Sequence, residues 1–228
     1  MSLLASDLAD LQRLPIFAAV SKKALAGFLN AARVHEFAAG SVLFKEGEVA
    51  DYLYIALDGH VALRAKGACA RDTAIDFVPA GQPFIVAAVL LGRHLLLSAQ
   101  VLEPSRVVLI PAADFRRSIE TDLALAVAFN RAAAEHWRSL IGQLKSLKMK
   151  TGAQRLASFL LSMADGRIGG AAIDLPCERR VLATWLGMVP TSASRAFREL
   201  SSIGVEGRGR RLSVKSIKRL AEFAEAQH

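Results

Sequence analysis

The stretch from Ala112 to Leu147 places the strongest constraint on the fold, because no glycine or proline occurs between Ala112 and Ile141. Such a stretch predicts one long helix. Apolar and small residues recur along it at alternating intervals of three and four, at Leu123, Ala126, Asn130, Ala133, Trp137, Leu140, Leu144 and Leu147. A heptad stripe of this kind packs against a second helix, and Asn130 within it can fix the register of the pair. We therefore expect a homodimer interface, with packing of the stripe on its own domain as the alternative.

The chain before this helix has a different pattern. Residues from about Ala5 to Ala32 have helical spacing, whereas residues 35–110 form short alternating runs separated by glycines. Turn signals at intervals of roughly 8–12 residues predict a rolled or sandwiched antiparallel sheet. We therefore assign the fold class α+β. The predicted domains are a β-roll sensor with N-terminal helices (1–111), a dimerisation helix (112–148) and a DNA-binding domain (149–228).

The last of these regions consists of short predicted helices and a hairpin. A basic hinge, KSLKMKTG, precedes a helix over residues 153–164 and a strand in AAIDLP. ERRVLATWLG and TSASRAFRELSS then predict two helices joined by a tight turn at MVP. GVEGRGRRLSVKS predicts a two-stranded hairpin with a Gly-Arg-Gly tip, and SIKRLAEFAEA predicts a closing helix. Two helices and a basic hairpin in this order indicate a winged helix-turn-helix.

Charge is distributed unevenly along the chain. Residues 1–144 hold 14 Lys/Arg and 14 Asp/Glu, whereas residues 145–228 hold 15 Lys/Arg and 7 Asp/Glu. The whole net charge of +8 therefore belongs to the C-terminal region. This asymmetry favours a polyanionic partner, most simply double-stranded DNA. A basic surface without any partner is the alternative on charge alone.

Composition excludes several classes of protein. A hydrophobic content of 53% predicts a folded chain rather than a disordered one. The two cysteines, Cys69 and Cys177, have no CxxC partner, so neither a disulfide framework nor a four-cysteine metal site within one chain is expected. The longest apolar run, PFIVAAVLLG, is too short for a bilayer, and Asp7 and Asp10 occur where a signal peptide would be basic. We expect a cytoplasmic protein without a membrane partner.

The second helix of the helix-turn-helix is the candidate recognition helix. Its first turns carry groups that can hydrogen-bond to base edges in a major groove: Thr191, Ser192, Ser194 and Arg195. Arg198, about one turn further along, is expected at a phosphate. The expected buried side consists of Ala193, Ala196, Phe197, Leu200 and Ile203. On the hairpin, Arg208, Arg210 and Arg211 are expected to follow the phosphate backbone.

These motifs resemble the CRP/FNR family of bacterial transcription regulators over nearly the whole chain. RRVLATWLGMVPTSASRAFREL is similar to the family's helix-turn-helix signature, and Gly40, Gly47, Tyr54-Ile55 and Gly59-His60-Val61 resemble its cyclic-nucleotide-binding β-roll. SLKMKTGAQRLASFLL and Pro190 are similar to the dissimilatory nitrate respiration regulators, the nitric-oxide-responsive branch. The resemblance implies a homodimeric transcription activator that binds a palindromic promoter, with RNA polymerase as a further partner. It also implies base-reading and anchoring positions for Ser194 and Arg195.

The chain departs from the family pattern in the recognition helix. Most members carry a glutamate three residues before the serine, where it accepts a hydrogen bond from a cytosine amine. Thr191 occupies that position here. The preferred half-site is therefore expected to differ from the family's usual sequences.

A second departure concerns the effector pocket, which is expected at Phe84, Val86, Leu95 and Leu96. Members that bind cyclic AMP carry a Gly-Glu pair for the ribose and an Arg-Ser pair for the cyclic phosphate. Here the glutamate position is Val86, and the Arg-Ser positions are Leu95 and Leu96. A phosphate diester buried beside these residues would be an unpaired charge. We therefore expect no binding of cyclic AMP.

An apolar pocket leaves two interpretations open. One is haem, as in the branches that respond to carbon monoxide or nitric oxide, with His94, His60 or Cys69 as candidate iron ligands. The proximal histidine of the carbon monoxide sensor corresponds to Ala87, so this ligand is not inherited. The other interpretation is a closed core, either without a ligand or with a different one. The four-cysteine pattern of the oxygen sensors is absent from the N-terminal region.

Two rival classes of function remain on sequence grounds. An enzyme is disfavoured because the five histidines are scattered and HExxH, GxSxG and P-loop motifs are missing. GVEGRGRR lacks the Lys-Ser/Thr of a phosphate loop. The other rival is a dimeric interaction protein that does not bind DNA, and both the Ser-Arg face and the basic hairpin argue against it.

Overall fold

The computed structural model describes residue 3 and residues 5–66, 72–164 and 167–226. The chain divides into two compact units, Met1–Arg138 and Ser139–His228. The first unit contains α1 (Ala5–Arg13), a 3₁₀ turn (Pro15–Phe17), α2 (Lys22–Phe28), α3 (Val86–Leu91), α4 (Ala112–Thr121) and the first part of α5 (Leu123–Met149). Its strands are β1 (Arg33–Phe37), β2 (Val42–Phe44), β3 (Tyr52–Asp58), β4 (His60–Lys66), β5 (Asp72–Pro79), β6 (Pro83–Phe84), β7 (Ser98–Val101) and β8 (Ser105–Pro111).

The strands of the first unit form two four-stranded antiparallel sheets, with the orders β1-β8-β3-β6 and β2-β7-β4-β5. Central pairs are fully buried: Leu53 lies opposite Ile110, and Ile55 lies opposite Val108. Gly59, between β3 and β4, has φ 80°, and a Cβ there would overlap the Ser105 side chain. Only glycine satisfies both the positive φ and this close approach. The predicted β-roll is confirmed.

An aromatic cluster joins the helices of the first unit. The ring of Phe129 on α5 lies 4.8 Å from Phe115 on α4, 5.6 Å from Phe28 on α2 and 6.1 Å from Phe17, centroid to centroid, all in edge-to-face geometry. Edge-to-face pairs of this kind add a favourable quadrupole interaction to the burial of the rings. Phe129 and Leu125 thus anchor one face of α5, and this face is not the heptad stripe.

The prediction of one helix over residues 112–147 is wrong. Asp122 has extended backbone angles, φ −124° and ψ 110°, and separates α4 from α5. Its Oδ1 accepts a hydrogen bond from the Leu125 backbone N–H at 3.0 Å, so the side chain caps the new helix. The sequence does not indicate the break, because aspartate occurs both within helices and as a cap, and its side-chain hydrogen bond decides between the two. The stripe is unaffected, because α5 begins at Leu123.

The second unit contains α6 (Gly152–Met163), β9 (Ala171–Asp174), α7 (Arg179–Trp185), α8 (Pro190–Ser202), β10 (Val205–Arg208), β11 (Arg211–Val214) and α9 (Ile217–Glu225). Its sheet has the antiparallel order β10-β11-β9. Thr151 and Gln154 form a capping box that starts α6 immediately after the end of α5. The predicted winged helix-turn-helix is confirmed.

The hairpin tip differs from the predicted Gly-Arg-Gly. Arg208 pairs with Arg211 across the hairpin, so the two-residue loop consists of Gly209 and Arg210. Gly207 lies within β10 opposite Leu212, where a Cβ would approach the Leu212 Cα at 2.9 Å. This glycine therefore permits close approach of two strands and does not form the turn.

None of the helices in the described part of the chain combines the length and the hydropathy that a bilayer-spanning segment needs.

Candidate nucleic-acid interface

Arg155 of α6 stabilises the turn between α7 and α8. Its Nε donates to the Leu186 carbonyl at 2.7 Å, and its Nη1 donates to the Lys150 carbonyl at 2.6 Å. Burial lowers the pKa of Arg155. Gly187 within the turn has φ 65°, and a Cβ there would lie 2.6 Å from Cδ2 of Leu147. One guanidinium thus joins the turn to the chain just after α5.

Helix α8 begins at Pro190, whose fixed φ suits the first position of a helix. Ala193, Ala196 and Leu200 are buried beneath it. Phe197 and Ile203, which we expected on the buried side, are only half-buried. The opposite side exposes every residue predicted to contact DNA on this helix, namely Thr191, Ser192, Ser194, Arg195 and Arg198. The structure therefore brings these five residues together on one polar face.

Two of these side chains form hydrogen bonds within the helix. The Ser194 hydroxyl donates to the Pro190 carbonyl at 3.0 Å. The Arg195 side chain is 78% exposed, and its Nε lies 3.0 Å from Oε1 of Glu199. Glu199 thereby holds the Arg195 side chain along the helix surface. Sequence reasoning missed this partner, although the (i, i+4) spacing of opposite charges is a recognisable signal.

The three hairpin arginines differ in their surroundings. Arg208 is exposed beside the loop. The Arg210 Nε donates to the Leu175 carbonyl at 2.7 Å, and the Arg211 Nε lies 3.5 Å from Oδ1 of Asp174. Arg210 is thus directed at the backbone of its own unit. Among the predicted phosphate contacts of the hairpin, Arg208 is the side chain best placed to meet an external ligand.

A groove of about 600 Å³ separates α8 from the hairpin. Its lining includes Arg179, Arg180, Ser194, Phe197 and Arg198. Arg179 crosses this groove: its Nε donates to the Gly209 carbonyl at 2.9 Å, and its Nη2 donates to the Gly207 carbonyl at 2.8 Å. Its Cζ lies 4.3 Å from the centroid of the Phe197 ring. The sequence alone does not single out Arg179, because Arg180 beside it is the same residue type.

The stripe on α5 is largely exposed in the single chain. Leu123 is 80% exposed, Trp137 is 64% exposed, and Leu144 and Leu147 are each exposed by nearly half. Asn130 is also exposed, whereas Ala133 and Leu140 are half-buried. An exposed apolar face of this length is unusual for a helix that remains without a partner.

The predicted effector residues do not all lie together. Phe84, Val86 and Leu95 are buried, and the Phe84 ring stacks on Tyr54 at 5.4 Å. Burial raises the pKa of Tyr54 to about 12. Leu96 is 83% exposed, so its assignment to the pocket is wrong. The backbone fixes which of the two leucines is buried. The Leu95 N–H donates to the Glu48 carbonyl at 2.8 Å, and the Leu95 side chain packs in the core, whereas that of Leu96 is exposed.

The candidate haem ligands do not form a buried axial site. His60 Nδ1 lies 2.5 Å from Oε1 of Glu103, and His94 Nδ1 lies 3.0 Å from the Gly47 carbonyl. No histidine is buried in the described part of the chain, and no cluster of metal-binding side chains is found there. Cys69 lies outside the described residues. His94 is thus exposed and His60 half-buried, and neither is enclosed in the core of the β-roll.

The comparisons with known proteins agree with this architecture. The cyclic nucleotide-binding domain model matches residues 34–122, and the Crp-like helix-turn-helix domain model matches residues 154–223. The nitrogen fixation regulation protein FixK of Bradyrhizobium diazoefficiens is 27% identical over 176 residues, 75% of this chain and 73% of that protein.

Solved structures share the fold as well. A Ruegeria pomeroyi protein, provisionally described as cyclic nucleotide binding, is 27% identical with a TM-score of 0.69, and the match covers 98% of this chain and 100% of that one. FixK2 of Bradyrhizobium japonicum is 23% identical with a TM-score of 0.75, over 86% of this chain and 99% of that one.

Proposed function

Since this chain belongs to the CRP/FNR family of DNA-binding transcription regulators, which are not enzymes, we propose that it binds a palindromic promoter site as a homodimer. In this proposal the two α8 helices enter major grooves one helical turn apart, about 34 Å centre to centre. In the same proposal, the DNA-bound dimer contacts RNA polymerase and acts in the cytoplasm.

The observation that carries the proposal is the division of α8 into two faces. Its apolar face is buried against its own unit, whereas Thr191, Ser192 and Arg195 are all exposed at its N-terminal end. A fold gains no stability from a concentration of hydroxyl and guanidinium groups at this end of a helix. These groups can instead donate to and accept from base edges, and Arg195 can form a bidentate pair with guanine.

The second part of the proposal is the dimer. Leu123, Trp137 and Leu144 expose apolar surface along α5, on a face distinct from that anchored by Phe129. Pairing of two such stripes would bury these side chains in a coiled-coil interface. The exposed Asn130 would then meet its counterpart and select one register, since any shift would bury the amide against apolar side chains.

We also propose that the signal is not cyclic AMP. The side chains of Val86 and Leu95 are buried and apolar, so they offer no acceptor to a ribose hydroxyl and no donor to a cyclic phosphate. The description of the Ruegeria relative as cyclic nucleotide binding supplies the competing hypothesis. Calorimetric titration with cyclic AMP and cyclic GMP separates the two, and micromolar binding would contradict our proposal. A visible absorption spectrum of protein expressed with sufficient haem tests the remaining gas-sensing alternative.

The function is tested by selecting DNA from a random library and measuring affinity by fluorescence anisotropy. We expect Arg195→Ala to weaken binding to the selected site by about 1–3 kcal/mol, the typical contribution of an arginine that reads a base. Arg117→Ala is the matched control, because Arg117 is an exposed helical arginine of the first unit with a similar carboxylate partner, Asp114. Failure to select any sequence, or equal effects of both variants, would contradict base reading by Arg195.

A further inference from the structure

Arg179 contacts two backbone carbonyls and an aromatic ring. An arginine that only binds a phosphate would need none of these contacts. Among the described strands, β10 lies at the edge of the sheet, next to β11. The carbonyls of Gly207 and Gly209 lie on either side of Arg208, and both accept hydrogen bonds from the same guanidinium. The planar fork of arginine suits two acceptors, whereas a lysine ammonium cannot hold both in a fixed geometry.

The same guanidinium also contacts the recognition helix. Its Cζ lies 4.3 Å from the centroid of the Phe197 ring, within the range of a cation–π interaction. Burial lowers the pKa of Arg179, in agreement with a side chain that is partly withdrawn from solvent. The start of α7, the middle of α8 and the loop of the hairpin are therefore joined through one side chain.

We propose that Arg179 is a positioning residue that fixes the hairpin relative to α8, so that Arg208 meets a phosphate while Arg195 reads a base. This inference rests on the proposed DNA binding. In this hypothesis the guanidinium of Arg179 binds the two carbonyls and the Phe197 ring, and it affects DNA binding only by fixing the position of Arg208. The hypothesis differs from direct phosphate binding, the simplest role for an arginine beside a recognition helix.

A double-mutant cycle on full-length protein and its selected DNA site tests the proposal. We expect Arg208→Ala and Arg179→Gln each to lower affinity by about tenfold, the size of one charge-assisted contact. In the Arg179→Gln background, Arg208→Ala should have almost no further effect, because the two residues act as a unit. Arg179→Lys, which keeps the charge, should behave like Arg179→Gln.

Arg180→Gln is the matched control, since Arg180 is the neighbouring exposed arginine of the same groove. Its effect should add to that of Arg208→Ala. Additive effects of Arg179→Gln and Arg208→Ala, or wild-type affinity of Arg179→Lys, would overturn the proposal and assign a direct phosphate contact to Arg179.

A measurement without DNA separates this proposal from the function on which it rests. Amide hydrogen exchange of the free protein should become severalfold faster in residues 206–210 than in the rest of the second unit for Arg179→Gln, and should stay unchanged for Arg180→Gln. Unchanged exchange in Arg179→Gln would refute the positioning role even if DNA binding is confirmed. If no DNA site is found, faster exchange still establishes the contact and only the proposed function fails.

Discussion

At the scale of single residues, two side chains of the exposed face of α8 have hydrogen-bond partners within the helix. Arg195 is held by Glu199, and Ser194 donates to the Pro190 carbonyl. In the proposed DNA complex, the Ser194 hydroxyl could keep this bond and accept a further one from a base, and Arg195 could keep Glu199 on Nε and offer its terminal nitrogens to a base. This arrangement reduces the rotamer entropy that Arg195 loses on binding.

Thr191 offers a direct test of sequence preference. We expect Thr191→Glu to change the selected half-site so that a cytosine becomes preferred at one position, because a carboxylate accepts from the cytosine N4 amine. The change should appear when the DNA selection is repeated with the variant.

Ser192→Glu is the control, because it adds the same charge to the neighbouring exposed position. An identical selected sequence for wild type and Thr191→Glu would show that position 191 does not face a base.

Gly59 provides a prediction of stability. We expect Gly59→Ala to lower the free energy of unfolding by more than about 2 kcal/mol, because strain at φ 80° adds to overlap with Ser105. Gly40→Ala should cost only about 1 kcal/mol, since its φ is 87° but its surroundings are open. Urea unfolding followed by circular dichroism measures both, and equal losses would contradict a steric role for Ser105.

At the scale of helices and strands, periodicity predicted most of the architecture, and contacts between distant residues account for the errors. The helical spacing of α8 and the apolar run of β3 both follow from local sequence, although residues 53–56 of β3 are all buried and do not alternate between buried and exposed. The cap at Asp122 depends on side-chain conformation, and the role of Gly207 depends on the strand opposite it. Leu96 was assigned by analogy with a family motif, and no periodicity indicated which leucine turns inward.

The Arg155 contacts at the α7–α8 turn give a prediction at this scale. We expect Arg155→Ala to destabilise the second unit by about 1.5–3 kcal/mol, since two carbonyls lose a charged donor. Hydrogen exchange in α7 and α8 should accelerate while exchange in β3 and β8 stays unchanged. Arg167→Ala is the control, because the exposed side chain of Arg167 donates to the Ala172 carbonyl away from this turn. Uniform acceleration in both units would argue against a local role.

At the scale of the whole molecule, the proposed dimer can be tested independently of DNA. We expect Trp137→Glu to convert a dimer into a monomer in analytical ultracentrifugation, because it would bury a charge within the paired stripes. DNA affinity should fall as well, since each half-site would then be bound separately. Ser139→Glu adds the same charge to an exposed position outside the stripe and should remain dimeric. A monomeric wild type would refute the interface.

The contact between Leu147 and Gly187 also bears on how such chains can diverge. Leu147 belongs to the stripe on α5, and its Cδ2 occupies the space that a side chain at position 187 would need. A substitution at either position therefore restricts the residues that evolution can accept at the other. Relatives with alanine at the position of Gly187 are expected to carry a residue smaller than leucine at the position of Leu147. Position 147 on the dimer stripe and position 187 in the helix-turn-helix would then covary among relatives, although one serves dimerisation and the other DNA binding.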